Sequence, residues 1–174
     1  PTLATADIMY KSREIPLLVA TGGPGVVTAV LSTGKRAIGA GAGNPPVVVD
    51  ETADIAHAAE SIINGATLDN NLPCIAEKEV VVVDKVADEL IAEMVNNGAY
   101  LLKDADKIAK LAEMVVVPNK KGKMSVSRDW VGRDAYKFLR ALGIDADPSV
   151  RCIILEAPEE HILVQTELMM PILG

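Results

Sequence analysis

The chain has 174 residues and 18.4 kDa, the size of one ordinary domain, large enough to fold without disulfide staples. Hydrophobic residues make up 49% and charged residues 24%, a globular balance rather than a disordered one. A net charge of −7 and a pI near 4.8 argue against a nucleic-acid binder and against charge-driven docking on anionic membrane.

In chain order, residues 2–11 have helical composition, and the apolar run Ile15 to Ala20 reads as a strand ending in Thr21-Gly22-Gly23-Pro24-Gly25. Val26 to Ser32 resumes as a helix stopped by Gly34, and residues 37–43 are too glycine-rich for a regular element. Val47 to Asp50 reads as a strand apolar on both faces, as a buried parallel strand is. Thr52 is the expected cap of a helix over 53–64, and a turn-rich stretch, 69–74, leads to the strand 79–83. Helices are expected at 84–97, ended by Gly98, at 104–113, and at 129–142, ended by Gly143. Strands are expected at 115–117 and 150–155, with a loop at 119–123. Helices alternating with β-branched runs predict an α/β fold, a mostly parallel twisted sheet flanked by helices.

No apolar run approaches the length of a membrane span, and no N-terminal secretion signal is visible. Two cysteines suit a reducing cytoplasm. A start at Pro1 without an initiator Met and a stop at Gly174 read as a piece of a longer polypeptide, or a processed one.

Cys74 follows Asn-Asn-Leu-Pro, where Pro73 disfavours helix at Leu72, so the thiol belongs to a loop before a strand. Either it is an exposed nucleophile on a rigid scaffold, or it is a small buried hydrophobe. Cys152, inside Arg-Cys-Ile-Ile-Leu, reads as inert packing. The Thr21–Gly25 turn either brings backbone amides to a ligand or only satisfies positive φ. Glycines 39, 41 and 43 leave one side of the backbone bare, which favours close approach of a ligand. His57 and His161 read as surface residues, and no cluster has metal-ligand spacing. The basic loop 120–123 either contacts phosphates or is solvated.

The runs Leu18-Val19-Ala20-Thr21-Gly22-Gly23-Pro24, Gly39-Ala40-Gly41-Ala42-Gly43-Asn44-Pro45-Pro46 and Asp69-Asn70-Asn71-Leu72-Pro73-Cys74-Ile75-Ala76-Glu77-Lys78-Glu79 resemble the CoA-acylating aldehyde dehydrogenases. The resemblance spans the whole chain and is closest to the propionaldehyde and acetaldehyde dehydrogenases of bacterial microcompartments. It implies Cys74 as the nucleophile that takes a short-chain aldehyde through a thiohemiacetal to a thioester, with NAD as oxidant and coenzyme A as acyl acceptor. Glu167 matches the glutamate that holds the cofactor ribose, and Thr21 and Gly22 match positions beside the nicotinamide. Gly39 stands where hydrolytic members of the superfamily carry a water-activating glutamate, 35 residues before the nucleophile, and its lack of bulk admits the pantetheine arm.

On this resemblance residues 1–36 are the end of the NAD-binding domain and 37–174 the catalytic domain, truncated at both ends. The full-length protein is implied to be a cytoplasmic homo-oligomer inside a microcompartment, in contact with its shell. Two other readings stay open: a structural module that presents the thiol without catalysis alone, and a Cys hydrolase that recruits His57 or His161.

Overall fold

A computed structural model describes residues 2–120 and 122–174, which form two compact units dividing between Gly43 and Asn44. A chain of one-domain length thus yields two bodies. Lys121 of the basic loop lies outside the described residues.

The first unit holds α1 (Leu3–Lys11), β1 (Leu17–Thr21), α2 (Pro24–Leu31) and β2 (Arg36–Ala40). The Thr2 hydroxyl accepts from the Thr5 N–H at 3.2 Å and caps α1. β1 and β2 pair in parallel, with Val19 opposite Ile38 and Thr21 opposite Ala40, and α2 is the crossover between them. Lys35 Nζ donates to the carbonyls of Ser12 and Ile15, tying the approach to β2 to the approach to β1. Residues 36–40 are therefore a strand, contrary to the irregular stretch expected there. Glycine does not prevent it, because Gly39 is where α2 comes closest: a Cβ there would lie 2.9 Å from Val27 Cγ1. The pairing places β2 with the first unit, which runs to Gly43.

The second unit runs through β3 (Pro46–Val49), α3 (Ile55–Ala66), a tight turn at Leu68–Asn71, β4 (Glu79–Val82), α4 (Asp84–Asn96) and β5 (Ala99–Leu101). It continues with α5 (Ala105–Val115), β6 (Val116–Pro118), β7 (Met124–Val126), α6 (Ala135–Ala141), β8 (Cys152–Ile154), α7 (Ile162–Gln165) and β9 (Ile172–Leu173). β3–β4, β5–β8 and β8–β9 are parallel pairs, and among the described residues the short β6–β7 pair alone is antiparallel. The Val80 N–H donates to the Gly174 carbonyl at 3.0 Å, linking β4 to the end of β9. The α/β class with mostly parallel pairing agrees with the pattern read from the sequence.

β8 separates two cores. Cys152 and Ile154 face one built on Ile62, Ile63, Leu90 and Met94 of α3 and α4. Ile153 faces another built on Leu111, Val115, Phe138 and Met170. Trp130 stacks on Phe138 in this second core, ring centroids 4.8 Å apart and planes inclined at 35°. β8 is thus buried on both faces, as is its neighbour β9, with Ile172 in the second core and Leu173 in the first. The expectation made for Val47–Asp50 fails there, since Val48 of β3 is 74% exposed and its neighbour Val81 of β4 56% exposed.

Two helix starts also move. The Asp50 carboxylate accepts from Thr52 N and Oγ1 at 2.9 and 2.6 Å, forming a turn. The cap of α3 is then Asp54, which accepts from His57 N–H at 3.1 Å. α6 starts only at Ala135, because Gly132 at φ +68° interrupts the helix expected from residue 129.

Candidate active site

Asp69, Asn70 and Asn71 hold φ of 48, 52 and 63°, three consecutive left-handed residues that reverse the chain after α3. Asn and Asp tolerate this region better than other non-glycine residues, which is why this segment and not an apolar one can turn here. The reversal leads through the half-buried Leu72 and Pro73 to Cys74 and Ile75, which are both exposed. Of the two readings of Cys74, the exposed thiol on a loop is the one observed.

The loop is exposed, but its anchors are buried. Asn71 is 1% exposed, and its side-chain amide donates to the carbonyls of Ala66 and Glu77, each at 2.8 Å. Lys78 is 4% exposed, and its ammonium donates to the Asn71 carbonyl at 3.1 Å, the Pro73 carbonyl at 3.2 Å and the Asn71 side-chain oxygen. Three protons meet three oxygens, so a buried charge is fully hydrogen-bonded, as burial of a charge demands. Burial pulls the Lys78 ammonium below the usual lysine range, opposed by the charges of Glu167 and Cys74, which push it up. Cys74 and Glu167, named separately from the sequence, thus act on one buried cation.

Two glycines make room for the loop. Leu72 packs on Gly132, where a Cβ would lie 3.2 Å from its methyls. A Cβ on Gly65 of α3 would overlap the Glu77 carboxylate. Gly132 also bridges two segments: its carbonyl accepts from Asn70 Nδ2 at 3.0 Å and its N–H donates to the Met169 carbonyl at 3.0 Å. Met169 sits two residues after Glu167, so the loop of Cys74 and the segment of Glu167 share one backbone tie. Asn70 Nδ2 also reaches Asp134 at 3.0 Å; the Lys137 ammonium, and after it this bond, keeps the Asp134 carboxyl below the usual range.

In the first unit, Thr21, Gly22 and Gly39 come together at one end of the β1–β2 pair, all exposed. Gly22, at φ +151°, donates its N–H to the Ala40 carbonyl at 3.0 Å. α2 begins at Gly23-Pro24 with no side-chain cap, and a Cβ on Gly23 or Gly25 would meet open space. An uncapped helix start under a bare glycine surface fits the polar part of a nicotinamide dinucleotide. Gly39 has a packing reason of its own in the approach of Val27.

Neither histidine is hydrogen-bonded to Cys74. His57 is exposed in the first turn of α3, and the Nδ1 of His161 accepts from the Leu163 N–H at 3.3 Å, capping α7. Cys152 is fully buried and its thiol is pushed up to about 12, which agrees with inert packing. The residues missed in the sequence are Asn71, Lys78, Gly65 and Gly132. A lysine between two glutamates reads as surface, and only the closure of the loop over it reveals its burial.

Residues 2–121 match the aldehyde dehydrogenase family. The chain belongs to that family. The acetylating acetaldehyde dehydrogenase of Escherichia coli is 49% identical over 176 residues, covering 99% of this chain and 37% of the relative. Among solved structures, the propionaldehyde dehydrogenase from the fucose utilisation bacterial microcompartment of Clostridium phytofermentans superposes with a TM-score of 0.90 at 56% identity. That match covers 100% of this chain and 39% of the other. The propionaldehyde dehydrogenase of Rhodopseudomonas palustris, solved with bound CoA and an acylated cysteine, gives 0.89 at 50% identity, covering 99% of this chain and 38% of the other. This aldehyde dehydrogenase family chain therefore spans less than two fifths of the length of these relatives. Among its described residues no helix is long and apolar enough to cross a membrane, and no cluster of three or more His, Cys, Asp or Glu is placed to hold a metal ion.

Proposed function

We propose that this chain carries the thiol of a CoA-acylating aldehyde dehydrogenase, which oxidises propionaldehyde or acetaldehyde to the acyl-CoA. The observation that carries this reading is the exposed Cys74 on a loop seated over a buried, fully bonded lysine. The acylated cysteine of the Rhodopseudomonas palustris relative supports it.

On this reading Cys74 Sγ attacks the aldehyde carbon, and the carbonyl electrons move to oxygen to give a thiohemiacetal. No acceptor among the described residues takes the Cys74 N–H, which leaves it available to the developing oxyanion. NAD, when bound, would supply the hydride acceptor for the thiohemiacetal carbon. Thr21 and Gly22 set the orientation of its ring, and Glu167 holds its ribose. The thioester left on Cys74 then passes its acyl group to the thiol of coenzyme A, and Cys74 is released. With Gly39 in place of a carboxylate base, no side chain at that position activates water, so transfer to a thiol outcompetes hydrolysis.

Residues 1–36 are assigned to the end of the NAD-binding domain and residues 37–174 to the catalytic domain. The full-length protein acts as a cytoplasmic homo-oligomer housed in a bacterial microcompartment, in contact with its shell; the source of the Clostridium phytofermentans relative supports the compartment. The test runs the last step in reverse: the purified chain is mixed with propionyl-CoA and peptide-mapped by mass spectrometry. A propionyl adduct on Cys74, with Cys152 unmodified, is the expected result. Absence of the adduct on this chain, with an adduct on a full-length homologous enzyme treated in parallel, reduces the isolated chain to a scaffold. Absence from both overturns acyl transfer.

A further inference from the structure

The network around Lys78 does more than fill space. Its three hydrogen bonds end on neutral oxygens, of Asn71 and Pro73, and not on a carboxylate. Among the described residues no carboxylate pairs with it directly, and Glu167 acts on it only as a charge, so no ion pair ties it up within the loop that bears the thiol. Two of the acceptors are backbone carbonyls three and one residues before Cys74, so the cation is fastened to the same few atoms that place the sulfur. Burial keeps water from screening it. The charges of Glu167 and Cys74 both push the Lys78 ammonium up, which agrees with such a placement.

We propose that Lys78 is the positioning residue for Cys74: its ammonium clamps the Asn71–Pro73 backbone and presents a fixed positive charge to the sulfur. The reading of Cys74 as nucleophile underlies this role. During attack, negative charge passes from sulfur to the carbonyl oxygen, and a cation fixed beforehand stabilises it without reorganising. An apolar residue at 78 retains neither the clamp nor the charge. An arginine retains the charge, but its planar fork does not match three convergent oxygens.

Charge is separated from shape by comparing two alkylating reagents of similar size, anionic iodoacetate and neutral iodoacetamide. Cys74 modification rates are read by peptide mapping, and unreactive Cys152 reports an intact fold in the same sample. The iodoacetate-to-iodoacetamide rate ratio at Cys74 is expected to be at least about threefold higher in the native chain than in the denatured chain. Lys78→Met lowers that ratio to the denatured value while Cys152 stays protected, and Lys78→Arg preserves it. A native ratio no higher than the denatured one overturns the proposal, and so does an unchanged ratio in a folded Lys78→Met chain. If Lys78→Met exposes Cys152, the native-against-denatured comparison decides alone. A retained ratio without propionyl transfer to either this chain or the full-length homologous enzyme would overturn the acyl-transfer reading and leave the role of Lys78 standing.

Discussion

Burial pushes the Cys152 thiol from the ordinary 9.0 up to about 12. Below pH 9 both folded and unfolded chains keep that proton, and the fold has its full stability. Above it the unfolded chain loses a proton that the folded chain retains, so stability falls with rising pH by about 1.4 kcal/mol per unit until the folded thiol itself ionises. Cys152→Ala is expected to flatten the pH dependence of the unfolding free energy between pH 9 and roughly pH 11. Denaturant titrations at several pH values check the slope. Asn71 is the other decisive residue. Asn71→Ala strips a donor from two carbonyls and an acceptor from a buried ammonium. The expected loss is about 2–4 kcal/mol of stability, with Cys74 acylation reduced in whatever remains folded. Cys74 was legible from its place after Asn-Asn-Leu-Pro, because proline and asparagine act locally. Lys78 was not, because its burial depends on contacts made only when the chain has folded.

The elements show the same division between local and distant causes. Helices α4 and α5 fall close to their expected spans, because caps and glycine stops are local signals. α6 was drawn too long, since Gly132 is fixed by Leu72 and Met169, far away in sequence. β2 was missed because its glycine answers to the side chains of α2. Two helix stops separate strain from crowding. Gly98 after α4 has φ +97° and Arg151 Cδ at 2.9 Å from a prospective Cβ, whereas Gly143 after α6 has φ +79° and open space. Gly143→Ala is expected to cost about 1 kcal/mol and Gly98→Ala distinctly more. Thermal melts rank the two, and neither change should alter Cys74 alkylation.

For the molecule as a whole, the exposed apolar strand faces are the main liability. Val48 and Val81 lie outward on the β3–β4 pair, and Val19 and Ile38 are 68% and 59% exposed on the β1–β2 pair. Parallel sheets are ordinarily covered on both faces, so uncovered valines favour association. Sedimentation of the isolated chain should show mass rising with concentration, and Val48→Lys with Val81→Lys should suppress that rise. Agreement between wild type and this variant would show that the valine face does not drive association.

The stacked pair Trp130 and Phe138 has an optical consequence. Trp130 is the only tryptophan, and Tyr10 is the only aromatic residue before Gly43. Indole emission therefore watches the second unit and is blind to the first. A melt followed by tryptophan fluorescence and by far-ultraviolet dichroism carries its own comparison. Coincident curves mean that the two units lose structure together, and a dichroism change that precedes the indole change means that the first unit lets go while the surroundings of Cys74 are still in place.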